Sequence, residues 1–287
     1  MRSWAFFISF VFLAVTSAGA TPSAFAAKKK FLVVIDPGHG GSDTGAVYVE
    51  HHRGRKDKVY TEKQMTLLLA RDLARELIIR GHNVILTRND DRLIPLSDRT
   101  ALANRLRADV FISIHLNSSA ARKMGEGGVE TFVLNHTTDD ASKRLADLEN
   151  AVLKESKAAD SGSSNVSLIM KDLILDGATI PSRELACAVQ NRLIHAKDHY
   201  IRNRGVKQAL FYVLLGADMP SILIEAGFMN SKVDRNRVLN TKSRLRMAAR
   251  LALAIDDYRH KRTPTQCHIQ SADVFQRKDN PNRHSRL

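Results

Sequence analysis

Two histidines and two glutamates lie where four separate elements of the chain are expected to begin or end. His39 and His115 each follow an apolar run of the kind that forms a strand. Glu62 begins a helical pattern, and Glu225 ends a further apolar run. Two neutral imidazoles and one carboxylate form the ligand set of many catalytic zinc sites, which keep a fourth position open for water. A second carboxylate that is not a ligand can take a proton from that water.

His39 stands in a glycine-rich stretch, DPGHGGSDTGA, that covers residues 36–46. Glycines allow the backbone to approach a metal and a substrate without Cβ clashes. Glu50 competes with Glu62 as a ligand because it also follows this stretch closely. It lies in a charged loop without an anchor, however, whereas a helix start would fix Glu62. From the residues alone, each of these side chains is an ordinary polar residue as readily as a ligand.

Short apolar runs alternate with helical patterns between these residues. The predicted strands are residues 31–35, 83–87, 109–114, 129–134 and 221–225. The predicted helices are residues 61–80, 97–106, 183–198 and 243–258. Thr61, followed three residues later by Gln64, predicts a capping box at the start of the first helix. The alternation predicts one α/β domain with a mostly parallel central sheet flanked by helices. One edge of such a sheet would gather the four candidate side chains.

The first 26 residues have the plan of a cleaved secretory signal, with an apolar run from Trp4 to Val15 and a small-residue exit at Ala24–Ala26. The alternative is a membrane anchor, but the run is shorter than the ~20 apolar residues that a span needs. We therefore expect an exported protein with no stable membrane span after signal cleavage. At the other end, residues 261–287 are polar and basic, which predicts a disordered tail.

The formal net charge of +14 favours an anionic partner such as nucleic acid, lipid or a cell-wall polymer. The basic residues lack the aromatic interleaving of a base-stacking surface, and export argues against nucleic acid. We expect an anionic surface outside the cytoplasm, with a merely solvated basic surface as the alternative. The two cysteines, Cys187 and Cys267, match neither a thiolate metal site nor a dense disulfide scaffold. Whether they pair is left open.

Four motifs follow one another along the chain: VVIDPGHGGSDTGA, TEKQMTLLLARDLARELIIRGHNVILTR, PLSDRTALANRLRADVFISIHLNSS and GVKQALFYVLLGADMPSILIEAGFMNS. In this order they resemble the zinc-dependent N-acetylmuramoyl-L-alanine amidases, and more narrowly the Gram-negative cell-separation amidases. The resemblance implies a catalytic domain over residues 27–260 and one Zn²⁺ held by His39, Glu62 and His115. It also implies Glu225 as the catalytic glutamate, peptidoglycan as the substrate and the periplasm as the location.

Residues 135–181 do not fit the alternation of strands and helices. They form a polar insertion with a predicted helix at residues 140–157. The resemblance implies that such a helix can plug the zinc cleft, with Glu149 as the first candidate for the plugging ligand and Glu155 as the second. A solvated, charged helix is the alternative. An activator protein that binds the insertion would then open the site.

Arg99 and Asn117 also match the family pattern, either as substrate contacts or as packing and turn residues. Two other functions stay open. One is a zinc peptidase that cuts within the stem peptides, and the other is a wall-binding regulator without activity. His and carboxylate ligands suit zinc but do not prove it over another divalent ion.

Overall fold

The structure is a computed structural model that describes residues 30–118, 127–151, 179–194 and 201–262. The predicted signal, Glu155, most of the predicted insertion, Cys267 and nearly all of the predicted tail lie outside these residues. The strands are β1 Leu32–Pro37, β2 Val47–Glu50, β3 Lys58–Thr61, β4 Asn83–Leu86, β5 Val110–Asn117, β6 Val129–Leu134, β7 Asn203–Ala209 and β8 Ser221–Phe228. The helices are α1 Glu62–Ile79, α2 Leu96–Arg105, α3 Asp140–Glu149, α4 Thr179–Ile194, α5 Lys232–Leu239 and α6 Thr241–Arg259.

Six strands form the central sheet, in the order β4-β1-β5-β8-β6-β7. Every neighbouring pair is parallel except β6 and β8, which run antiparallel. The predicted α/β fold with a mostly parallel sheet is therefore confirmed. β2 and β3 form a separate antiparallel hairpin. These two strands and β7 were not predicted, because they are short or polar and lack the apolar runs of the buried strands.

The central sheet separates two hydrophobic cores. Val33 and Ile35 of β1 face the core that α1, α4 and α6 cover. Val34 between them faces the second core, to which α2 and α3 contribute. Successive side chains of a strand point to opposite faces, so a strand covered on both faces is apolar throughout. The continuous apolar run of β1 thus follows from helices on both sides of the sheet.

Helix α1 begins at the predicted position, but the predicted capping box is wrong. The Thr61 side chain makes no capping hydrogen bond. The glycine-rich stretch lies against the first turn instead, where the backbone N–H groups of Glu62 and Lys63 donate to the carbonyls of Ala46 and Thr44. Because these carbonyls satisfy the first free donors of the helix, the start of α1 is tied to the segment that follows His39.

Two predicted boundaries in or next to the insertion differ from the structure. Helix α4 begins at Thr179, so the predicted insertion, 135–181, overlaps its first turn. Helix α3 begins at Asp140 as predicted and ends at Glu149, where the prediction continued to residue 157. Among the described residues, no helix combines the length and the apolar composition that a membrane crossing requires.

Candidate metal centre

The centre lies where β1, β5 and β8 run side by side in the sheet. His39 follows β1, as predicted. His115 and Glu225, predicted just past or at strand ends, lie inside longer strands, because β5 and β8 continue pairing to Asn117 and Phe228. His115 and Glu225 are register partners, so adjacent parallel strands hold the two side chains next to each other. Glu62 reaches the same place from the first residue of α1.

Four side chains meet there with one ligand atom each: His39, Glu62, His115 and Glu149, all within 4.8 Å of one another. Oε1 of Glu62 lies 3.0 Å from Nε2 of His39 and 3.2 Å from Nδ1 of His115. Oε2 of Glu149 lies 3.3 Å from Nε2 of His39 and 2.9 Å from Nδ1 of His115. These two imidazoles and two carboxylates are a donor set that can hold a metal ion.

Both the spacing of the donor atoms and their lack of hydrogen-bond partners among the described residues fit a tetrahedral metal ion. Bonds of about 2.0–2.1 Å to zinc place tetrahedral ligand atoms roughly 3.3 Å apart, close to the four nitrogen–oxygen separations of 2.9 to 3.3 Å between the imidazoles and the carboxylates. Nε2 of His39, Nδ1 of His115 and Oε2 of Glu149 are buried, and none has a hydrogen-bond partner among the described residues. Buried polar atoms are normally satisfied, so three convergent atoms without a hydrogen-bond partner fit the binding of a metal ion.

Neighbouring groups fix how the ligands are presented. Oδ2 of Asp43 lies 2.8 Å from Nδ1 of His39, which turns the opposite nitrogen, Nε2, towards the cluster. The backbone N–H of Leu116 donates to Oε1 of Glu62 at 2.9 Å, and that of Ala46 donates to Oε2 at 2.9 Å. Such partners of metal ligands set the tautomer and the orientation of each ligand.

Two glycines of the glycine-rich stretch are required by close approach to the ligands. A Cβ on Gly38 would lie 2.5 Å from ring atoms of His115. A Cβ on Gly45 would lie 2.5 Å from Cδ2 of His39 and 2.7 Å from Oε2 of Glu62, and Gly45 has φ +59°. The glycine-rich composition around His39 therefore has a steric cause on this edge of the sheet.

Arg99 is buried beneath the turn that carries His39. Its Nη1 donates to Oδ1 of Asp36 at 2.9 Å and to the Pro37 carbonyl at 3.1 Å, and Nη2 donates to the His39 carbonyl at 3.3 Å. His39 itself has φ +61°, a conformation that non-glycine residues adopt rarely. Of the two interpretations of Arg99, these contacts correspond to packing, because the guanidinium hydrogen-bonds the backbone of the turn that carries His39.

Glu225 is completely buried, and neither carboxylate oxygen has a hydrogen-bond partner among the described residues. Burial raises the pKa of Glu225 well above its usual range, against the opposing influence of His115. The carboxylates of Glu149 and Glu62, and then that of Glu130, raise this pKa further. Glu225 is therefore a protonatable group beside the cluster that no structural hydrogen bond restrains.

Asn117 and Glu130 form a separate polar chain next to Glu225. Asn117 donates through Nδ2 to Oε1 of Glu130 at 2.6 Å, and Lys207 donates through Nζ to Oε2 of Glu130 at 2.6 Å. Glu130 is the antiparallel register partner of Glu225, and directly opposed residues share a face of the sheet. Both carboxylate oxygens of Glu130 therefore accept hydrogen bonds, whereas those of Glu225 have no partner in the part of the chain that the structure describes.

The carboxylates around the two imidazoles favour the protonated form of each ring, and so raise the pKa of His39 and His115. Burial lowers the pKa of His115, but the carboxylates of Glu149 and Glu62 outweigh burial and raise it to about 10. Burial likewise opposes protonation of His39, whose pKa Glu62 and Asp43 raise well above its usual range. Metal binding requires neutral imidazoles and therefore releases protons.

Helix α3 brings Glu149 into the cluster and is fixed at three points. Leu145 and Ala146 are buried in the second core. Asn150, which follows the helix, donates through Nδ2 to the Leu210 carbonyl at 2.7 Å and accepts through Oδ1 from the Tyr212 N–H at 2.9 Å. The position of Glu149 therefore follows from packing and hydrogen bonding on either side of it.

A cavity of about 830 Å³ adjoins the cluster. Its walls come from the glycine-rich stretch, from the segment before α2 and from α3, with His39, Asp43, Leu93, Leu96, Leu145 and Leu148 among the lining residues. The cavity mixes polar and apolar walls, as small-molecule sites do.

Glu50, the competing ligand in the sequence, lies outside the cluster and accepts a hydrogen bond from the Tyr60 hydroxyl at 3.1 Å.

Several residues that shape this site were not singled out from the sequence. Asp43 carries a usable signal, since it is a carboxylate four residues after His39 in the same turn. Asp36, Arg88 and Lys207 carry none, because their partners lie on other elements far along the chain. Contacts of that kind become visible only when the fold is known.

The fold and the cluster together define a class of protein: an α/β domain with a candidate metal centre at one edge of its sheet. The family model described as N-acetylmuramoyl-L-alanine amidase matches residues 33–257, and the chain belongs to this family. The predicted resemblance to N-acetylmuramoyl-L-alanine amidases is thereby confirmed.

Individual relatives agree with the family assignment. The chain is 35% identical to N-acetylmuramoyl-L-alanine amidase AmiC of Escherichia coli O6:H1, over 78% of this chain and 51% of AmiC. It is 29% identical to AmiA of Escherichia coli K12, over 86% of this chain and 83% of AmiA. The chain thus spans about half the length of AmiC, and 52% of the AmiC of Neisseria meningitidis. The solved amidase of Clostridium difficile 630 superposes with a TM-score of 0.58 at 29% identity, over 81% of this chain and 98% of that one.

Proposed function

We propose that this protein is an exported zinc hydrolase that cleaves the amide between N-acetylmuramic acid and L-alanine of peptidoglycan, in cell separation or wall remodelling. One observation carries the proposal: His39, Glu62 and His115 converge beside the unpaired carboxyl group of Glu225. The family supplies the substrate class. Export to the periplasm follows from the signal predicted at residues 1–26.

His39, Glu62 and His115 would hold the zinc ion. When bound, zinc supplies Lewis-acid polarisation of the scissile carbonyl and lowers the pKa of water. The chain supplies the rest of the chemistry. Glu225 accepts a proton from the attacking water and then donates it to the leaving nitrogen of L-alanine. The products are the free lactyl carboxylate and an intact stem peptide with a free amino group.

Digestion of purified sacculi tests this function. Mass spectrometry should detect intact stem peptides that begin with L-alanine, and glycan strands with unsubstituted lactyl groups. A chelator should abolish the release, and added zinc should restore it, because the proposed hydrolysis depends on the metal ion. Fragments that end within the stem would instead indicate the peptidase. Binding to sacculi without release, even in the opened variant described below, would indicate a regulator without activity.

We also propose that α3 inhibits the enzyme. Oε2 of Glu149 faces both imidazoles at 2.9 and 3.3 Å and would therefore act as a fourth ligand, in the position that a catalytic zinc site keeps open for water. Burial raises the pKa of Glu149, but His115 outweighs burial and the pKa is lowered, so the side chain sits there as a carboxylate. An activator protein that displaces α3 would vacate the position.

Replacing Glu149 by alanine should raise the basal rate of sacculus digestion by on the order of 10–100-fold, the usual range of a regulatory coupling. The helix would remain packed through Leu145 and Ala146. This substitution is a sharper test than deletion of residues 139–181, which would also remove apolar side chains from the second core and the first turn of α4.

Asp147→Ala is the matched control, since Asp147 is an exposed carboxylate on the same helix. Dye release from labelled sacculi should be unchanged in this control. Equal rates for Glu149→Ala and the unaltered protein, with equal zinc content, would contradict inhibition by Glu149.

A further inference from the structure

We propose that Arg88 is a positioning residue for the metal centre, which fixes the spacing between His39 and Glu62 by clamping the backbone next to each of them. The inference rests on the proposed metal site and names a residue outside its ligand set. Arg88 follows β4, at the far side of β1 from His115. Among the described residues, it makes no hydrogen bond or ion pair with a ligand side chain.

The guanidinium of Arg88 joins the two segments that carry His39 and Glu62. Its Nη2 donates to the carbonyl of Gly38 at 2.7 Å and to the carbonyl of Lys63 at 2.8 Å. Gly38 directly precedes His39, and Lys63 directly follows Glu62. One nitrogen therefore bridges the backbones beside two ligands that come from different elements.

Further hydrogen bonds of Arg88 and Thr66 complete the clamp. Nε of Arg88 donates to the Pro37 carbonyl at 3.0 Å, and Nη1 donates to the Asp90 carbonyl at 3.1 Å. The Thr66 hydroxyl, one turn into α1, donates to the Gly38 carbonyl at 2.9 Å. Together with Arg99 on the other side, these donors hold three successive carbonyls, from Pro37 to His39, in the turn where His39 adopts φ +61°.

The cost of burying Arg88 supports a specific role. The residue has 0% exposure, and no carboxylate of the described chain accepts a hydrogen bond from it. Burial, with the neighbouring Arg99, lowers the pKa of Arg88 to about 10. A buried cation that no carboxylate hydrogen-bonds is expensive, even though the charges of Asp36 and Asp91 offset part of the cost, and only a planar guanidinium offers donors in several fixed directions. A lysine could not bridge Pro37, Gly38 and Lys63 at once.

Zinc affinity distinguishes this role from general stabilisation. Arg88→Lys should raise the dissociation constant for zinc by about 10–100-fold, the typical effect of removing a group that orients metal ligands. Calorimetric titration of the stripped full-length protein measures it, and the visible spectrum of the cobalt-substituted protein should shift as the ligand geometry relaxes. Arg244→Lys is the matched control: Arg244 is also buried, and it pairs with Asp72 at 2.7 Å away from the site. Its zinc affinity should stay within about twofold of the unaltered protein.

A second pair of variants keeps the test decisive if Arg88→Lys does not fold. Thr66→Val removes the hydroxyl at nearly constant volume and should weaken zinc binding in the same direction, and Thr66→Ser should restore it. Unchanged zinc affinity in Arg88→Lys and Thr66→Val would overturn the proposal, as would an equal loss in Arg244→Lys. Failure of the unaltered protein to bind zinc would overturn the metal site itself, which is a different result.

Discussion

Glu225→Gln is expected to lower amide hydrolysis by on the order of 10³-fold while zinc stays bound. A positioned general acid–base group contributes roughly 10²–10⁴-fold to a rate, and glutamine cannot take up or release a proton there. The substitution preserves the size of a side chain that is completely buried. Because Glu225 makes no hydrogen bond in the described structure, the change breaks none.

The effect should be measured in the Glu149→Ala background, which lacks the proposed inhibitory carboxylate. The assay is release of stem peptides from sacculi, with zinc content determined on the same samples. Glu130→Gln is a useful comparison, because Glu130 faces Glu225 across the sheet and is already engaged by Asn117 and Lys207. It should lose stability but keep activity within about tenfold. Full activity of Glu225→Gln would refute the assigned role.

Asp36→Ala is expected to lower the free energy of unfolding by about 3–5 kcal/mol, the usual cost of removing one partner of a buried ion pair. The carboxylate of Asp36 accepts from Arg99 at 2.9 Å, from Thr87 at 2.6 Å and from Ser113 at 2.8 Å. Its loss leaves the guanidinium of Arg99 charged and buried without a counter-ion.

The stabilisation of the fold by the Asp36 carboxylate should decrease as the pH falls. Burial raises the pKa of Asp36, but Arg99 and the two hydroxyl donors outweigh burial, so the pKa in the folded state lies below the usual 3.8. A carboxyl group with a lowered folded pKa stabilises the fold above its unfolded pKa and loses this effect as the pH falls through the folded value. The difference in stability between the unaltered protein and Asp36→Asn should therefore be full at neutral pH and shrink below about pH 4.

Urea denaturation at several pH values measures both predictions. Ser113→Ala serves as the control, since it removes one neutral donor to Asp36 and should cost only about 1 kcal/mol. If Asp36→Ala also costs only about 1 kcal/mol at neutral pH, the prediction is wrong, and the guanidinium of Arg99 is stabilised by groups other than Asp36.

The sequence predicted the elements with strong apolar patterns and the residues that those elements carry. β1, β5 and β8 are apolar because helices cover both faces of the sheet, and their pattern leads directly to His39, His115 and Glu225. The predicted start of α1 leads in the same way to Glu62. The β2–β3 hairpin and β7 have no such pattern, so they were missed.

Contacts between distant polar residues could not be predicted. Lys207 and Glu130 lie 77 positions apart, and Arg88 meets backbone carbonyls, which have no signature in the sequence. Thr61 shows the converse: its sequence matches a capping box, but its side chain makes no capping hydrogen bond, and carbonyls of another segment accept from the first two N–H groups of the helix. Glu149 was named only through resemblance, and its inhibitory role remains a prediction.

The place of Glu149 among the four clustered donors has a thermodynamic consequence. Coupling between two binding events is reciprocal: if zinc strengthens the seating of α3, the seated helix strengthens the retention of zinc by the same factor. Molecules in which α3 is seated would then bind zinc more tightly than molecules in which α3 is displaced. Each displacement of α3 would lower the zinc affinity. The inhibited form would therefore retain its zinc, and a chelator that removes the zinc would also weaken the seating of α3.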